Sequence, residues 1–339
     1  MRLQQAQLTL AKPVRLLRSR VSFLDKSLGV SLSTEEFSAV QDACNRSGFR
    51  FGAFYHWYLQ KKLMADHVRK LDRSAMLNAV QQLDHSDYTQ LYASNSTSRG
   101  LLVAIPHHGH YIFSIVGLME KLRSTREVLV FYGSPKTHVG NELFDELHAC
   151  LFGGPDSNAR VIHDTRSGMA QAMRGLQQGA AVIIMPDVYA RERDTYLIPF
   201  CDRPLNVMLG TAVLARKTNS TILPVVSHPS PTKLCFKTAF GPILDRTDMV
   251  NAVTKNGDGV LHEDYRTTVQ MFRFLEESMR HEIIYWQYCR SHYTRRSPFP
   301  TMNKESLDAV IEHFFNDPRV NVDTRSPIRL DGTQAREQQ

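Results

Sequence analysis

The stretch Leu101-Leu-Val-Ala-Ile-Pro-His107-His108-Gly109-His110-Tyr111 runs from five apolar residues through a proline into three histidines within four positions. Five apolar residues bounded by such a break suit a short strand buried on both faces. A helix over 111–122 follows. From residue 98 onward strands and helices alternate. Further strands are expected at 128–132, 160–163, 181–185, 222–226 and 234–240. Helices are expected at 140–151, 168–178 and 209–218. This alternation is the pattern of an α/β domain. One long helix is expected over 265–288.

Upstream, residues 1–95 read as a mainly helical N-terminal region. Ser33-Thr-Glu-Glu36 has the form of a capping box. Phe54, Trp57, Leu59, Leu63, Val68 and Leu71 recur at helical spacing, and Asp72 or Ser74 is placed to cap a further helix through Leu83. The aromatic cluster Phe54-Tyr-His-Trp-Tyr58 suits packing onto the main domain better than a ligand site. The α/β domain is expected to occupy 96–300. A short helix at 303–316 and a polar tail complete 301–339.

The chain has 339 residues, of which 42% are hydrophobic and 22% charged, so a large core is attainable. No apolar run approaches the ~18–20 residues that span a bilayer, and no signal peptide is evident, which predicts a cytoplasmic protein. The net charge of +7 favours acidic partners: a membrane surface, nucleic acid or an acidic carrier protein. No nucleic-acid-binding motif accompanies it, so nucleic acid is set aside. Five cysteines at 44, 150, 201, 235 and 289 have neither metal-site nor disulfide spacing.

Chemistry concentrates at three strand ends. Carboxyl ends of strands border the ligand crevice in open α/β sheets. His107, His108 and His110 stand at one such end, where imidazole can remove a proton from an attacking hydroxyl or amine. Gly109 lets substrate or backbone come close. The donors of the following helix start are placed to face an oxyanion. The plain alternative is a set of hydrogen-bonded turn histidines. Ala180-Ala-Val-Ile-Ile-Met-Pro-Asp187 repeats the strand–proline–polar pattern. Asp187 there can orient a histidine, or cap a helix or form a loop ion pair. Arg203, in Leu197-Ile-Pro-Phe-Cys-Asp-Arg203, can meet a phosphate or carboxylate, or can be an ordinary surface arginine.

The order of these pieces resembles the lysophospholipid acyltransferase superfamily, nearest the lipid A late acyltransferases. That group has His-Phe-Gly-Asn-Trp-Glu after a strand, where this chain has His107-His108-Gly109-His110-Tyr111-Ile112. Further matches are Val130-Phe-Tyr132 with the helix from Asn141, Pro186-Asp187, Ile198-Pro-Phe200, Ala215-Arg216, Leu223-Pro-Val225 and Trp286 with Arg290. The resemblance covers roughly residues 98–298. It implies a central mixed, mostly parallel sheet flanked by helices, with a helical N-terminal extension. It also implies acyl transfer from a thioester, with His107 as base and His108 or His110 as its substitutes. Asp187 is expected to orient the base, and Gly109, Tyr111, Tyr132 and Arg203 to contact substrate.

Three departures stand out. Ile112 occupies the position of the family's orienting carboxylate, Gly133 that of an arginine, and the N-terminal anchor has no counterpart. Either Asp187 or a neighbouring histidine replaces the carboxylate, or the acceptor is an amine needing little activation. A third option is an inactive, acyl-binding homologue. The leading expectation is a soluble enzyme without a resident cofactor. Its donor is carried on the phosphopantetheine of an acyl or peptidyl carrier protein or on coenzyme A, and its acceptor is a small amine or hydroxyl. A peripheral enzyme acylating a lipid at the inner membrane is the alternative. Cys201 as a covalent nucleophile is a lesser one.

Overall fold

A computed structural model describes residues 52–95, 98–133, 142–154, 157–187, 196–201, 203–245, 259–289 and 292. The expected capping box at Ser33, the helix at 303–316 and the polar tail lie outside the described residues. The frame is a six-stranded sheet in the order β3-β2-β4-β1-β7-β8. Its strands are β1 (Leu101–Ala104), β2 (Val128–Tyr132), β3 (Ala159–His163), β4 (Ala181–Ile184), β7 (Thr221–Pro229) and β8 (Phe236–Phe240). Neighbours pair in parallel except β7 and β8, which are antiparallel. The mixed, mostly parallel α/β sheet is therefore as expected.

Helices cover both faces. α4 (Tyr111–Leu122) and α5 (Glu142–Phe152) share one core with Leu101, Val103 and Val130. Alternate strand residues Leu102, Ala104 and Leu129 enter the second core, with residues of α6 (Arg166–Gln177), α7 (Gly210–Thr218) and α8 (Gly259–Met279). Strands coated on two sides must be apolar at successive positions, and all four residues of β1 are fully buried. Arg216 of α7 makes a two-pronged ion pair with buried Asp264 of α8, so the Ala215-Arg216 motif joins two helices here.

Ahead of the sheet come α1 (Gly52–Val68), α2 (Arg73–Leu83) and α3 (Thr89–Asn95). Asp72, of the two candidate caps, accepts from the Ala75 N–H and starts α2. Two local structures differ from expectation. The segment around Ile198 forms an antiparallel hairpin, β5 (Tyr196–Phe200) with β6 (Arg203–Val207), in which Pro199 faces Pro204. Prolines disguise a strand because they cannot donate to a ladder, and a hairpin outside the main sheet tolerates them. The helix expected over 265–288 stops at Met279. It gives way to a 3-10 turn, Arg280–Tyr285, whose Glu282 is not helical.

Gly109 lies where β1 hands over to α4. Its φ is +59°, and a Cβ there would meet the Ser227 carbonyl oxygen at 2.2 Å. Gly210, at the start of α7, has nothing within 4 Å of the corresponding position. Gly109→Ala is therefore expected to cost about 1–3 kcal/mol or more. Gly210→Ala is expected to be neutral or slightly stabilising. Denaturant midpoints of the two variants check this; equal midpoints would refute it.

Candidate active site

β1 and β4 are direct neighbours, with Ala104 opposite Ile184. Each then continues through one apolar residue and a proline to a polar residue: Ile105-Pro106-His107 and Met185-Pro186-Asp187. Equal offsets from paired residues of a parallel ladder bring the two polar side chains together. His107 Nδ1 is 2.8 Å from Asp187 Oδ1, and the His107 backbone N–H donates to Oδ2 at 2.8 Å. A third donor, the Trp286 indole N–H, reaches Oδ2 at 2.7 Å. Asp187 is 1% exposed, so its charge is solvated by these three groups in place of water.

Trp286 reaches this place because the chain after α8 abandons the helix. Residues 285–287 lie antiparallel to 107–109. The Gly109 N–H donates to Tyr285 O at 3.1 Å, the Gln287 N–H donates to His107 O at 2.8 Å, and Trp286 bridges His108. A helix through this segment would spend those same backbone groups internally. Sequence periodicity, which detects apolar spacing alone, does not register that competition.

His107 is the histidine of the three that keeps contact with solvent, its side chain being 11% exposed. The edges of Tyr111 and Tyr288 approach its ring, with centroids 4.9 and 5.2 Å away. Tyr111 Oη donates to Gln287 Oε1 at 3.4 Å. Burial, with the Asp187 charge adding to it, pushes both phenols up, so they stay protonated.

His108 and His110 are interior residues. Both His108 ring nitrogens face carbonyls, Ser227 O at 2.8 Å and Glu282 O at 3.0 Å. It thereby ties β7 to the 3-10 turn. Burial, then the His228 charge, lowers its pKa to about 4. His110 is 2% exposed, and its ring nitrogens have no hydrogen-bond partner among the described residues. Burial, then the charge of Lys61, lowers its pKa to about 3.

The remaining expected positions are placed as follows. Gly109 is closely hemmed by backbone: its N–H is spent on Tyr285 O, and the place of a Cβ is taken by the Ser227 carbonyl. The His107 and His108 N–H groups are also engaged, with Asp187 and with Pro106 O. The expected oxyanion donors around Gly109 are thus already in use. Tyr132 ends β2, which β4 separates from β1, and it packs on Phe144 with centroids 4.5 Å apart. The Arg203 side chain lies outside the described residues. Cys201 turns the β5–β6 hairpin with φ +49° and is buried. Sequence reasoning quoted Trp286 without giving it a role, and it passed over Tyr288 and Gln287. The family-like tryptophan was the available signal for the first; the tyrosine and glutamine carried none.

A carboxylate-held imidazole thus stands at the carboxyl edge of the mostly parallel sheet of an α/β protein. The chain belongs to the bacterial lipid A biosynthesis acyltransferase family, whose model matches residues 82–290. The match includes every strand of the main sheet and both members of the His107–Asp187 pair. No curated protein matches the chain. Among the described residues no helix is long and apolar enough to cross a membrane.

Two expectations test this arrangement. Trp286→Phe keeps the aromatic bulk and removes one donor from a buried carboxylate. A loss of about 1.5–3 kcal/mol in unfolding free energy should follow, the range for hydrogen bonds to charged groups; an unchanged value would contradict a structural role for the Trp286–Asp187 hydrogen bond. The second concerns pH. Unfolded, His108 and His110 take up protons near 6.5; folded, they resist until about 4 and about 3. The unfolded chain binds more protons between those limits, so stability falls as pH drops from 6.5 towards 4. His110→Phe should show a smaller fall than the wild type in pH-dependent thermal unfolding. An identical slope would show that His110 does not contribute.

Proposed function

We propose that this acyltransferase moves an acyl or aminoacyl group from a thioester to the amine or hydroxyl of a small acceptor. The thioester is carried on the phosphopantetheine of an acyl or peptidyl carrier protein, or on coenzyme A. The reading rests on one observation, the Trp286–Asp187–His107 relay at the ends of two paired strands. With Nδ1–H donated to Asp187, Nε2 of His107 keeps its lone pair. The acceptor's nitrogen or oxygen bonds to the thioester carbon as its proton passes to Nε2. The tetrahedral intermediate then expels sulfur, the C–S bond breaks, and the imidazolium returns the proton to the thiolate. An amide or ester and a free thiol result, without a covalent enzyme intermediate. Asp187 balances the imidazolium and takes the place of the carboxylate lost at Ile112. The positive end of α4, beginning at Tyr111, favours negative charge on the thioester oxygen.

The net charge of +7 suits an acidic carrier protein. A cytoplasmic reaction is part of this proposal. A second reading has a specific support: the family description concerns lipid A biosynthesis, and Lys12, Arg15, Arg18 and Arg20 make a basic N-terminal run. On that reading the enzyme docks on anionic headgroups and acylates a lipid. Flotation with anionic vesicles at low and high salt separates the two.

The direct test is mass spectrometry of acceptors incubated with pure protein and a panel of acyl carrier proteins and acyl-coenzyme A donors. Acylated acceptor is expected, and His107→Ala should lower turnover roughly 10²–10⁴-fold. Asp187→Asn should do comparable damage for a geometric reason. Two donors point at Oδ2, so the amide oxygen must take that place and the NH₂ must face Nδ1, which selects the wrong imidazole tautomer. Undiminished turnover in His107→Ala would overturn the mechanism. Thioester binding without turnover by the wild type would favour an inactive acyl-binding homologue.

A further inference from the structure

α1 lies outside the family-matched residues, yet it is fixed against the site. Buried Gln60 donates to Ser230 O at 3.0 Å and to Lys233 O at 2.7 Å, anchoring α1 to the β7–β8 connection. Trp57 packs on Tyr285, one residue before the indole that holds Asp187, with centroids 5.5 Å apart. Lys61 follows Gln60 on the same helix, one turn beyond Trp57. Its ammonium lies 5.6 Å from the Trp57 ring centroid and 6.0 Å from that of Tyr111. The same Tyr111 ring touches His107, so the ammonium and the imidazole are separated by no more than one tyrosine and its two contacts.

Lys61 forms no ion pair with a carboxylate among the described residues. Its charge acts on His110, a second base, which is buried and has no hydrogen-bond partner among the described residues. Aromatic faces offset part of a cation's desolvation, by about 0.5–2 kcal/mol, which is less than a partner anion provides. Burial lowers the Lys61 pKa, and an arriving anion would reverse that shift.

Resting on the acyl-transfer reading, we propose that Lys61 receives a carboxylate carried by the acceptor, which makes the acceptor an amino acid or a related amino- or hydroxy-carboxylate. The phosphate of a pantetheine arm is also an anion, but it stands at the far end of a long chain from the thioester carbon. Lys61 stands one side chain from His107. The carboxylate of a small acceptor, a few bonds from its nucleophile, spans that interval. Tyr111 and Gln287 would line the path between them.

The test is binding, followed by thermal unfolding and calorimetry. The probes are the common amino acids and β-alanine, each against its decarboxylated amine, and coenzyme A in a separate arm. Carboxylate-bearing members are expected to bind the wild type and Lys61→Arg, and to bind Lys61→Met roughly 10–100-fold more weakly, the range for a charge-assisted hydrogen bond. The proposal is overturned if no amino acid binds better than its amine, or if Lys61→Met binds amino acids as the wild type does. It is equally overturned if Lys61→Met loses coenzyme A binding instead, which would assign the anion to the donor. Turnover by the wild type, measured beside binding, separates the two readings. Retained Lys61-dependent amino-acid binding alongside a wild type that never turns over would sink acyl transfer and leave the carboxylate site standing. With turnover in hand, Lys61→Met should raise the acceptor KM more than it lowers kcat.

Discussion

The carboxylate of Asp187 is the constraint around which the site is organised. A charge with 1% exposure must be solvated by protein, and three donors do so: an imidazole, a backbone N–H and an indole. The carboxylate and its donors come from three parts of the fold. β4 delivers the carboxylate, β1 the histidine and its N–H, and the broken end of α8 the tryptophan. Removing any one leaves a buried ion short of a partner, which costs more than an ordinary hydrogen bond is worth.

The same constraint explains the break after α8. Continuing that helix to 288 would satisfy the backbone at 285–287 internally but would leave Asp187 without its indole. The chain instead lends these backbone groups to 107–109, and Trp286 turns inward, 2% exposed. His108 closes the other side by linking Ser227 O with Glu282 O. His107 itself is flanked by Tyr111 and Tyr288, not by the other two histidines.

Much of the frame was legible in the sequence because parallel strands coated on both faces must be continuous apolar runs, as at 101–104 and 181–184. The repeated strand–proline–polar pattern even suggested His107 with Asp187. Their contact depends on β1 and β4 being neighbours in matching register, which a single chain does not display. The proline-bearing β5–β6 hairpin and the break after α8 were hidden for a related reason: both are fixed by tertiary partners, not by local spacing. His107, His108 and His110 looked alike in sequence, and burial alone distinguishes them. Lys61 gave no signal, since its environment arises only when α1 docks against the 3-10 turn.

Ile112 gives this arrangement a further consequence. A carboxylate five residues beyond the histidine would belong to the same local segment, whereas His107 and Asp187 are 80 positions apart and share only the sheet. The His107–Asp187 contact is thereby made a property of the assembled ladder: neither half of the chain holds it alone, and a one-residue slip between β1 and β4 would dismantle it. The first turn of α4, relieved of an ionised side chain, is free to sink entirely into apolar surroundings, as Ile112 and Phe113 do.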